Sequence, residues 1–396
     1  MRKNLMPNID WVGAIDWNVR DFHSYNTDRG ATYNAYLIRD KENTLIDTVK
    51  APFFDRYYKQ VTELADPASI KYLVCNHAEP DHSSGLPLAV KAFPNAQIVA
   101  DKKCRDTVVN YFGGDDWSWK IVKTGDQINI GSRTLHILET PMVHWPDSMM
   151  TYVPEDQILF SMDAFGQHIA CAARFDDEID LAIIMEEAKT YYANIVAPHG
   201  RFVQKTLEAA KDLPIKMIAT SHGVIWRKHI PEILEAYKGW AVNKTIPKVA
   251  VFYDSMWEST GKIAETIVQG ADIDGVATVM LHVRHSNLTR IATEFLDTAV
   301  FAFGSSTLNN LLMPAASAAL VYLRGMNLKN KTGFAFGSHG WAGKGGADQV
   351  DAYLAESGWK QARPVLKCAW RPTAEILTEA EQAGKMLAKL ALETAG

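Results

Sequence analysis

Four potential metal ligands lie within six residues of the chain, at positions 77–82, where the sequence reads His-Ala-Glu-Pro-Asp-His. An apolar segment at residues 70–74 runs into them and is typical of a buried strand. Imidazole nitrogens and carboxylate oxygens both coordinate first-row metals. One short loop can therefore supply His77 and Glu79 to one metal ion, and Asp81 and His82 to a neighbouring ion.

The local backbone decides which of these side chains share a face. In an extended segment alternate residues point the same way, so we expect His77, Glu79 and Asp81 on one face. Pro80 supports an extended backbone, because it disfavours the helical conformation at the residue before it. One of the two serines at 83–84 is then expected to cap the next helix and end the loop.

Three further candidate ligands follow other apolar runs, namely His144, Asp163 and His222. Ligands at the ends of strands are held by a rigid sheet while they face a common crevice. Four histidines and three carboxylates can serve two metal ions, and Asp163 is expected to bridge them. A set with three negative charges leaves a pair of divalent metal ions with net positive charge, which favours a small electrophile and its reduced, anionic forms.

A second chemical signal is the hydroxyl-rich loop at residues 254–260, Asp-Ser-Met-Trp-Glu-Ser-Thr, between an apolar strand and a helix. Its backbone N–H groups and the hydroxyls of Ser255, Ser259 and Thr260 can surround a phosphate at the start of the helix. The loop is neither a Walker A motif nor Gly-x-Gly-x-x-Gly, which argues against ATP and a Rossmann-type NAD site. Taken alone, it is equally consistent with an ordinary capped helix.

The elements around this loop alternate regularly. Strands are predicted at Val249–Tyr253, Ala277–Val283, Ala299–Gly304, Thr332–Phe336 and Val365–Ala369, and helices at Lys262–Gly270, Thr289–Leu296, Met313–Leu323 and Gln349–Glu356. Five strands in βαβ order predict a doubly wound parallel sheet of flavodoxin size. Loops at 304–310 and 337–341 follow its third and fourth strands, where a flavodoxin fold contacts the flavin ring.

These three loops predict an FMN site in the second half of the chain. Its predicted residues are Ser255, Met256, Trp257, Glu258, Ser259, Thr260, Thr307, Leu308, Asn309, Asn310, Ser338, His339, Gly340 and Trp341. Trp257 and Trp341 either pack near the ring or belong to the core. The carboxylate of Glu258 must point away from the phosphate.

The metal ligands lie in a less regular part of the chain. Strands are predicted at Tyr33–Ile38, Thr44–Asp47, Ile128–Ile130, Thr134–Glu139, Met150–Val153 and Ile158–Ser161, and helices at Phe53–Leu64, Leu86–Ala92 and Leu181–Tyr192. This mixture predicts an α+β, layered sandwich. A segment at 241–247, which contains Pro247, separates the halves. We therefore predict one domain at residues 1–245 and another at 246–396.

The run at 77–82 resembles the ligand loop of the metallo-β-lactamase superfamily, which has an αββα sandwich fold. That loop usually reads His-x-His-x-Asp-His and commonly holds zinc. In this chain Glu79 stands where the second histidine is expected. The exchange replaces a borderline nitrogen donor by a hard oxygen donor, and mixed histidine and carboxylate ligation suits redox-active iron.

Four motifs together resemble the flavodiiron family, and most of all its rubredoxin:oxygen oxidoreductases. They are His-x-Glu-x-Asp-His, His-Trp-Pro-Asp-Ser-Met, Asp-Ala-Phe-Gly and Ser-His-Gly-Val-Ile-Trp, ahead of a flavodoxin-like half. The resemblance implies one iron held by His77, Glu79 and His144, a second held by Asp81, His82 and His222, and Asp163 shared by both. The histidine that matches His82 does not reach the metal in every member of the family. Among the other histidines, His23 is the one expected to line the pocket.

The resemblance also implies an activity and its partners. The enzyme would reduce O2 to water or NO to N2O, with electrons passing from a donor such as rubredoxin through FMN to a diiron centre. The four cysteines are scattered and include no Cys-x-x-Cys pair, so a separate donor is needed. A head-to-tail homodimer, alone or as a dimer of dimers, would place the FMN of one chain beside the irons of its partner, with Trp341 near the junction.

Composition excludes several other classes of protein. A net charge of −5, a pI near 6.2 and the lack of a dense Lys/Arg run argue against a nucleic acid or membrane partner. Residues 1–5 lack the apolar run of a signal peptide, so a cytoplasmic protein is predicted. Two alternatives remain, a zinc hydrolase fused to a flavodoxin and a non-catalytic flavoprotein with a vestigial metal site. Glu79 argues against the first, and the complete set of seven ligand types argues against the second.

Overall fold

The structure is a computed structural model that describes residues 3–341 and 343–395. The chain forms two compact units, one comprising Met1–Tyr192 and Arg201–Lys238 and the other Ala193–Gly200 and Gly239–Gly396. Residues 1 and 2, part of the segment predicted not to be a signal peptide, lie outside the described residues. None of the described helices is both long enough and apolar enough to cross a membrane.

The first unit is built on two sheets. Its strands are β1 (Lys3–Met6), β2 (Ile9–Trp11), β3 (Ala14–Asp16), β4 (Asp21–Phe22), β5 (Tyr25–Asn26), β6 (Ala31–Tyr33), β7 (Tyr36–Ile38), β8 (Asn43–Ile46), β9 (Ile70–Val74), β10 (Gln97–Ala100), β11 (Trp119–Ile121), β12 (Gln127–Asn129), β13 (Thr134–Glu139), β14 (Met149–Val153), β15 (Ile158–Met162) and β16 (Met217–Thr220). One sheet has the order β1-β2-β7-β8-β9-β10-β11 and the other β12-β13-β14-β15-β16. The pairs β3–β6 and β4–β5 lie outside both sheets.

Apolar side chains from facing strands fill the space between the two sheets. Ile46 and Val74 of the first sheet share one buried cluster with Leu135 and Phe160 of the second. The helices of this unit are α1 (Phe54–Thr62), α2 (Pro80–Ser83), α3 (Leu86–Ala92), α4 (Lys102–Phe112), α5 (Leu181–Tyr191), α6 (Gly200–Ala210) and α7 (Ile230–Ala241). A second cluster joins α1, α3 and α4 to the outer face of the first sheet. The predicted αββα sandwich is thus confirmed.

The second unit contains one parallel sheet in the order β18-β17-β19-β21-β22, with β23 on β21 and β20 antiparallel to β19. Its elements are β17 (Ile246–Asp254), α8 (Ser259–Ala271), β18 (Ala277–His282), α9 (Leu288–Leu296), β19 (Thr298–Leu308), β20 (Leu311–Leu312), α10 (Pro314–Gly325), β21 (Thr332–His339), α11 (Gly346–Glu356), β22 (Lys360–Gln361), β23 (Leu366–Ala369) and α12 (Ala374–Thr394). The helices α8 and α12 bury one face of this sheet. The doubly wound prediction is confirmed, although α12 was not among the predicted helices.

Three local predictions in the first unit are wrong. The single strand expected at Tyr33–Ile38 is split into β6 and β7 around Asn34, whose backbone N–H donates to the carbonyl of Ser221 at 2.7 Å instead of to a neighbouring strand. The ligand loop is not extended throughout, because helix α2 begins at Pro80. Proline fits the first position of a helix, where no partner for its missing N–H is needed.

The expected serine cap is also absent. The residue before α3 is Gly85, and no side chain caps this helix. Ser83 donates its hydroxyl to the carbonyls of Ala78 and Glu79, while the hydroxyl of Ser84 accepts from the N–H of Ala51. The two serines therefore stabilise the loop itself and its contact with the chain before α1.

Candidate metal centre and flavin site

Four strand ends bring the seven predicted ligands of the first unit together. The run at 77–82 follows β9, His144 lies between β13 and β14, Asp163 follows β15 and His222 follows β16. Strands β15 and β16 are parallel, with Met162 opposite Thr220, so their following residues emerge at the same edge of the sheet. All seven side chains are buried. Residues scattered over about a third of the chain thus converge through the register of the two sheets.

One group of candidate ligands consists of His77, Glu79, His144 and Asp163, whose donor atoms all lie within 4.8 Å of one another. The Nε2 atom of His144 lies 3.1 Å from Oε2 of Glu79 and 3.3 Å from Oδ2 of Asp163. The Nε2 atom of His77 lies 3.3 Å and 3.6 Å from the same two oxygens. Such separations suit donors around a single ion at bond lengths of roughly 2 Å.

The second group consists of Asp81, His82 and His222. The Nε2 atoms of both histidines lie 3.2 Å from Oδ2 of Asp81. The same nitrogens lie 3.2 Å and 3.5 Å from Oδ1 of Asp163. Asp163 therefore presents Oδ2 to the first group and Oδ1 to the second, which is the arrangement of a bridging carboxylate. Helix α2 turns Asp81 and His82 towards the second group, away from the face expected for an extended loop.

Several buried polar atoms of this cluster make no hydrogen bond within the part of the chain that the structure describes. They are both carboxylate oxygens of Asp81, both ring nitrogens of His82 and Oδ2 of Asp163. A buried polar atom without a partner costs about 1–3 kcal/mol, and a charged one costs more. Cations placed between these atoms would satisfy them together, so the residues fit a pair of metal ions.

Hydrogen bonds from neighbouring residues fix the orientation of the imidazoles. Asp147, which the sequence interpretation missed, accepts from Nδ1 of His77 at 3.0 Å and from the N–H of Ala78 at 2.7 Å. The Nδ1 atom of His222 lies 2.6 Å from the carbonyl oxygen of Thr32. With Nδ1 protonated, the lone pair on Nε2 of each ring is free to face a metal. The motif His-Trp-Pro-Asp carried the signal for Asp147, since a carboxylate three residues after a ligand can support another ligand.

The electrostatics of the cluster match a site for cations. Burial opposes ionisation of Glu79, yet hydrogen bonds from His144, His23 and His77 keep the pKa of its carboxyl well below the usual value. Burial likewise opposes ionisation of Asp163, but His82 and His144 hold the pKa of its carboxyl well below the usual value. Burial also disfavours the charged form of His82, but the carboxylates of Asp81 and Asp163 raise its pKa to about 9. The carboxyls of Glu79 and Asp163 are therefore held as anions, the form that binds metal.

The hairpin of β4 and β5 covers the cluster. His23, which is 43% exposed, forms an ion pair with Oε1 of Glu79, as expected for a histidine that lines the pocket. The ring of Phe22 lies 6.0 Å from that of His222, and the hydroxyl of Tyr25 bonds to Nδ1 of His168. Burial lowers the pKa of His168 well below its ordinary value, so this ring is neutral and adds no positive charge beside the metal ligands. Aromatic rings thus restrict access of water to one side of the site.

In the second unit, a cavity of about 430 Å³ opens at the carboxyl ends of β17, β19 and β21. This volume lies within the range of small-molecule and cofactor sites. Ten predicted residues line it, namely Met256, Trp257, Ser259, Thr307, Asn309, Asn310, Ser338, His339, Gly340 and Trp341. Trp257 and Trp341 are 88% and 90% exposed, so they are not core residues.

The other predicted flavin residues lie beside the cavity. Ser255 accepts from the N–H of Gly261, Glu258 is exposed with a left-handed backbone, and Leu308 ends β19. Thr260 is buried, and its hydroxyl lies 3.0 Å from that of Ser306 and 2.8 Å from that of Ser338. Two lining residues were missed, Ser306 and Trp370. Ser306 directly precedes the predicted Thr307 in the loop at 304–310, whereas Trp370 follows the last strand and carried no signal.

The comparisons with known proteins match both halves of the chain. Residues 31–223 match the family model described as ODP family beta lactamase, and residues 251–384 match flavodoxin. A nitric oxide reductase from Moorella thermoacetica is 40% identical, with 97% of each chain covered. The flavodiiron protein from Giardia intestinalis has a TM-score of 0.97 and 38% identity, covering all of this chain and 97% of that one. Rubredoxin oxygen:oxidoreductase from Desulfovibrio gigas has a TM-score of 0.96 and 32% identity, covering all of this chain and 99% of that one.

The fold and the two sites define a flavoprotein with a metal-binding domain of the beta-lactamase type. With relatives of this similarity over almost its entire length, the chain belongs to the flavodiiron family. It is therefore an oxidoreductase whose cofactors are FMN and a diiron centre. Family membership argues against the alternatives of a zinc hydrolase and of a non-catalytic flavoprotein.

Proposed function

We propose that the chain reduces O2 to water, NO to N2O, or both, at the diiron centre in its first unit. Reduction of O2 to two waters takes four electrons and four protons, and reduction of two NO to N2O and water takes two of each. The observation that carries the proposal is the bridging position of Asp163 between two groups of buried histidines and carboxylates. The relatives named as a nitric oxide reductase and a rubredoxin oxygen:oxidoreductase support both substrates.

The seven residues have separate tasks in this proposal. His77, Glu79 and His144 would hold one iron, Asp81, His82 and His222 would hold the other, and Asp163 would be shared by both. When bound, the two irons supply the redox chemistry and the positions at which the gas is reduced. Asp147 and the carbonyl of Thr32 hold protons on the Nδ1 atoms of His77 and His222, which keeps each Nε2 aimed at a metal.

We place FMN in the cavity of the second unit. The loop at 255–260, at the N-terminus of α8, would hold its phosphate, and the loops at 307–310 and 338–341 would hold its ring. Replacing Ser259 by Asp tests this placement, because a carboxylate there repels a phosphate and yet suits the start of a helix. We expect this variant to lose FMN, while Thr373→Asp at the N-terminus of α12 should keep it. Full flavin content in Ser259→Asp would place the phosphate elsewhere.

The metal assignment is tested on protein purified from its own source. We expect about two irons and one FMN per chain, as the two ligand groups and the cavity of the second unit predict. Asp163→Ala should empty the centre most completely, because it removes the only ligand that faces both groups. Asp212→Ala, at an exposed carboxylate, is the matched control. Stoichiometric zinc in place of iron would refute the diiron assignment in this chain.

We propose that electrons arrive from a separate donor of the rubredoxin type. NADH with the purified chain alone should give no turnover, since the sequence has no dinucleotide fingerprint. Adding a reductase and a rubredoxin-like protein should start gas consumption, and rates with each gas then rank O2 against NO. Rapid consumption with NADH alone would reveal an electron-entry site of another kind. A cytoplasmic location is part of the proposal and is supported by four cysteines that form no disulfide within the described residues.

We propose a head-to-tail homodimer, alone or as a dimer of dimers, with domains at residues 1–245 and 246–396. A two-fold arrangement closes on itself and gives two equivalent electron paths from the FMN of one chain to the irons of its partner. The exposed Trp341 beside the flavin cavity supports an interface there. Mixing Asp163→Ala with Ser259→Asp should restore part of the activity when subunits exchange. A fully active monomer in solution would contradict this assembly.

A further inference from the structure

The first unit also contains a cavity, of about 210 Å³, between the five-stranded sheet and helices α6 and α7. Its floor is formed by Met150, Leu159 and Ile218 from three adjacent strands and by Phe165, and all four side chains are buried. Leu234 of α7 stands at the wall, half-buried. We call this cavity the α6–α7 pocket. It is distinct from the metal cluster, and none of the seven candidate ligands lines it.

One tight turn separates the α6–α7 pocket from the metal cluster. The turn runs from Asp163 to Gly166, with the N–H of Gly166 donating to the carbonyl of Asp163 at 3.0 Å. Its third residue, Phe165, has a positive φ of 66° and lines the pocket. Its fourth residue faces the ligands, since a Cβ added to Gly166 would lie 3.6 Å from Cβ of His222. The turn therefore borders the pocket through Phe165 and carries the bridging carboxylate at its first residue, Asp163.

Packing holds this turn in place. The N–H of Phe165 donates to the hydroxyl of Tyr237 at 2.7 Å, and the two rings lie 4.5 Å apart. The carbonyl of Phe165 accepts from the indole N–H of Trp226 at 2.8 Å. These bonds fix the backbone of the turn, so the buried ring of Phe165 forms an apolar partition at the edge of the pocket. A buried aromatic ring without a polar group can rotate aside at little electrostatic cost.

The lining decides what the α6–α7 pocket can bind. Its floor offers no polar side chain, the walls add only Thr206 and the two lysines of the rim, and an apolar cavity of about 150 Å³ takes up xenon or benzene. O2 and NO are small, uncharged and weakly polar, so they partition into such a space in the same way as xenon. Lys211 and Lys238 stand at the exposed rim, and Lys211 already pairs with Glu208. The lysine charges therefore lie at the solvent-exposed rim, and the floor of the pocket is apolar.

We propose that the α6–α7 pocket is a binding site for the substrate gas, which passes from there to the diiron centre beside Phe165. The inference rests on the proposed reduction of O2 or NO at the metal cluster. It assigns the pocket a role in supply, so Phe165 and Leu234 set the dependence of rate on gas concentration and take no part in the chemistry. Replacement of Leu234, which lies on α7, should then affect KM for the gas and leave kcat at saturating gas unchanged.

The first test is xenon binding to crystals of the iron- and FMN-loaded protein under pressure. We expect a xenon atom against Leu159, Ile218 and Phe165. Leu234→Trp fills the pocket from α7 and should abolish this site. Leu88→Trp adds the same bulk on α3, at a position that is 39% exposed and covers the other sheet, and should leave xenon binding unchanged. Xenon absent from the wild-type pocket overturns the proposal.

The second test measures rates per bound iron in the same variants. We expect Leu234→Trp to raise KM for O2 or NO several-fold at unchanged kcat, and Leu88→Trp to match the wild type. Xenon in the wild-type pocket with an unchanged KM in Leu234→Trp refutes the supply role. If Leu234→Trp loses iron, Leu207→Trp, which fills the pocket from α6, is used in its place. A raised KM in Leu207→Trp then supports the supply role, and an unchanged KM refutes it. A medium-chain carboxylate that binds at the rim lysines and displaces xenon would identify a different ligand and also contradict the proposal.

Iron analysis separates this inference from the function on which it rests. Wild-type protein without iron would refute the diiron assignment whatever xenon does. Iron-loaded, active protein with an empty α6–α7 pocket refutes only the gas site.

Discussion

Replacing Asp147 tests how much the iron site depends on a residue that is not itself a ligand. One oxygen of this buried carboxylate, Oδ2, accepts from both Nδ1 of His77 and the N–H of Ala78. Asp147→Asn keeps an acceptor oxygen but removes the charge that stabilises the orientation of His77. Asp147→Ala removes the acceptor as well and leaves two buried donors without a partner.

The magnitude follows from these two hydrogen bonds. A bond to a charged group contributes about 1.5–3 kcal/mol, and about 1.4 kcal/mol corresponds to a tenfold change in binding. Loss of a residue that supports a metal ligand typically weakens binding by about 10–100-fold. We therefore expect an iron affinity about tenfold lower in Asp147→Asn and about a hundredfold lower in Asp147→Ala. Only the site with His77 should change, because Asp147 contacts no ligand of the other group.

The assay is an anaerobic titration of metal-free protein with Fe²⁺ against a competing chelator. Two binding steps are expected in the wild type, and only one should move in the variants. Asp212→Asn and Asp212→Ala, at an exposed carboxylate, control for the loss of one negative charge. If Asp147→Ala binds both irons as tightly as the wild type, the orientation of His77 does not limit the site and the reasoning fails.

Two further predictions concern stability. Burial raises the pKa of Glu187 to about 7, from 4.5, against the opposing effect of Arg29. An acid whose pKa is raised on folding binds more protons in the folded state, so stability is greatest below about pH 4.5 and falls by about 3 kcal/mol as pH rises to 7. Urea unfolding between pH 5 and 8 measures this fall in the free energy of unfolding. Glu187→Gln should remove the pH dependence, whereas Glu186→Gln, at an exposed position, should keep it. An unchanged pH dependence in Glu187→Gln would show that other groups cause it. Lys331 is buried and donates to the carbonyls of residues 295, 296 and 298 at 2.8–2.9 Å. Lys331→Met should lower the free energy of unfolding by about 2–4 kcal/mol, whereas exposed Lys329→Met should have little effect; equal stability of the two variants would contradict this role.

The sequence by itself determined the chemistry of both sites. Histidine and carboxylate side chains after apolar runs predicted two metals, and Glu79 favoured iron, because residue type decides which metals a site can bind. The regular alternation after residue 248 predicted the parallel sheet, because periodicity reflects which faces are buried. Both inferences depend on local pattern, which a single sequence contains.

The sequence already assigned His77 and Glu79 to one ion and Asp81 and His82 to its neighbour, but only the tertiary structure decided how one loop reaches both groups. The extended backbone expected at residues 77–82 would have placed His77, Glu79 and Asp81 together, but α2 turns Asp81 towards His222. Whether a ligand joins the first or the second group depends on which oxygen of Asp163 it faces, and the pairing of β15 with β16 sets the position of Asp163. Similarly, the support of His77 by Asp147 joins residues 70 positions apart. Such pairings depend on strand register and sheet packing, which local propensity does not specify.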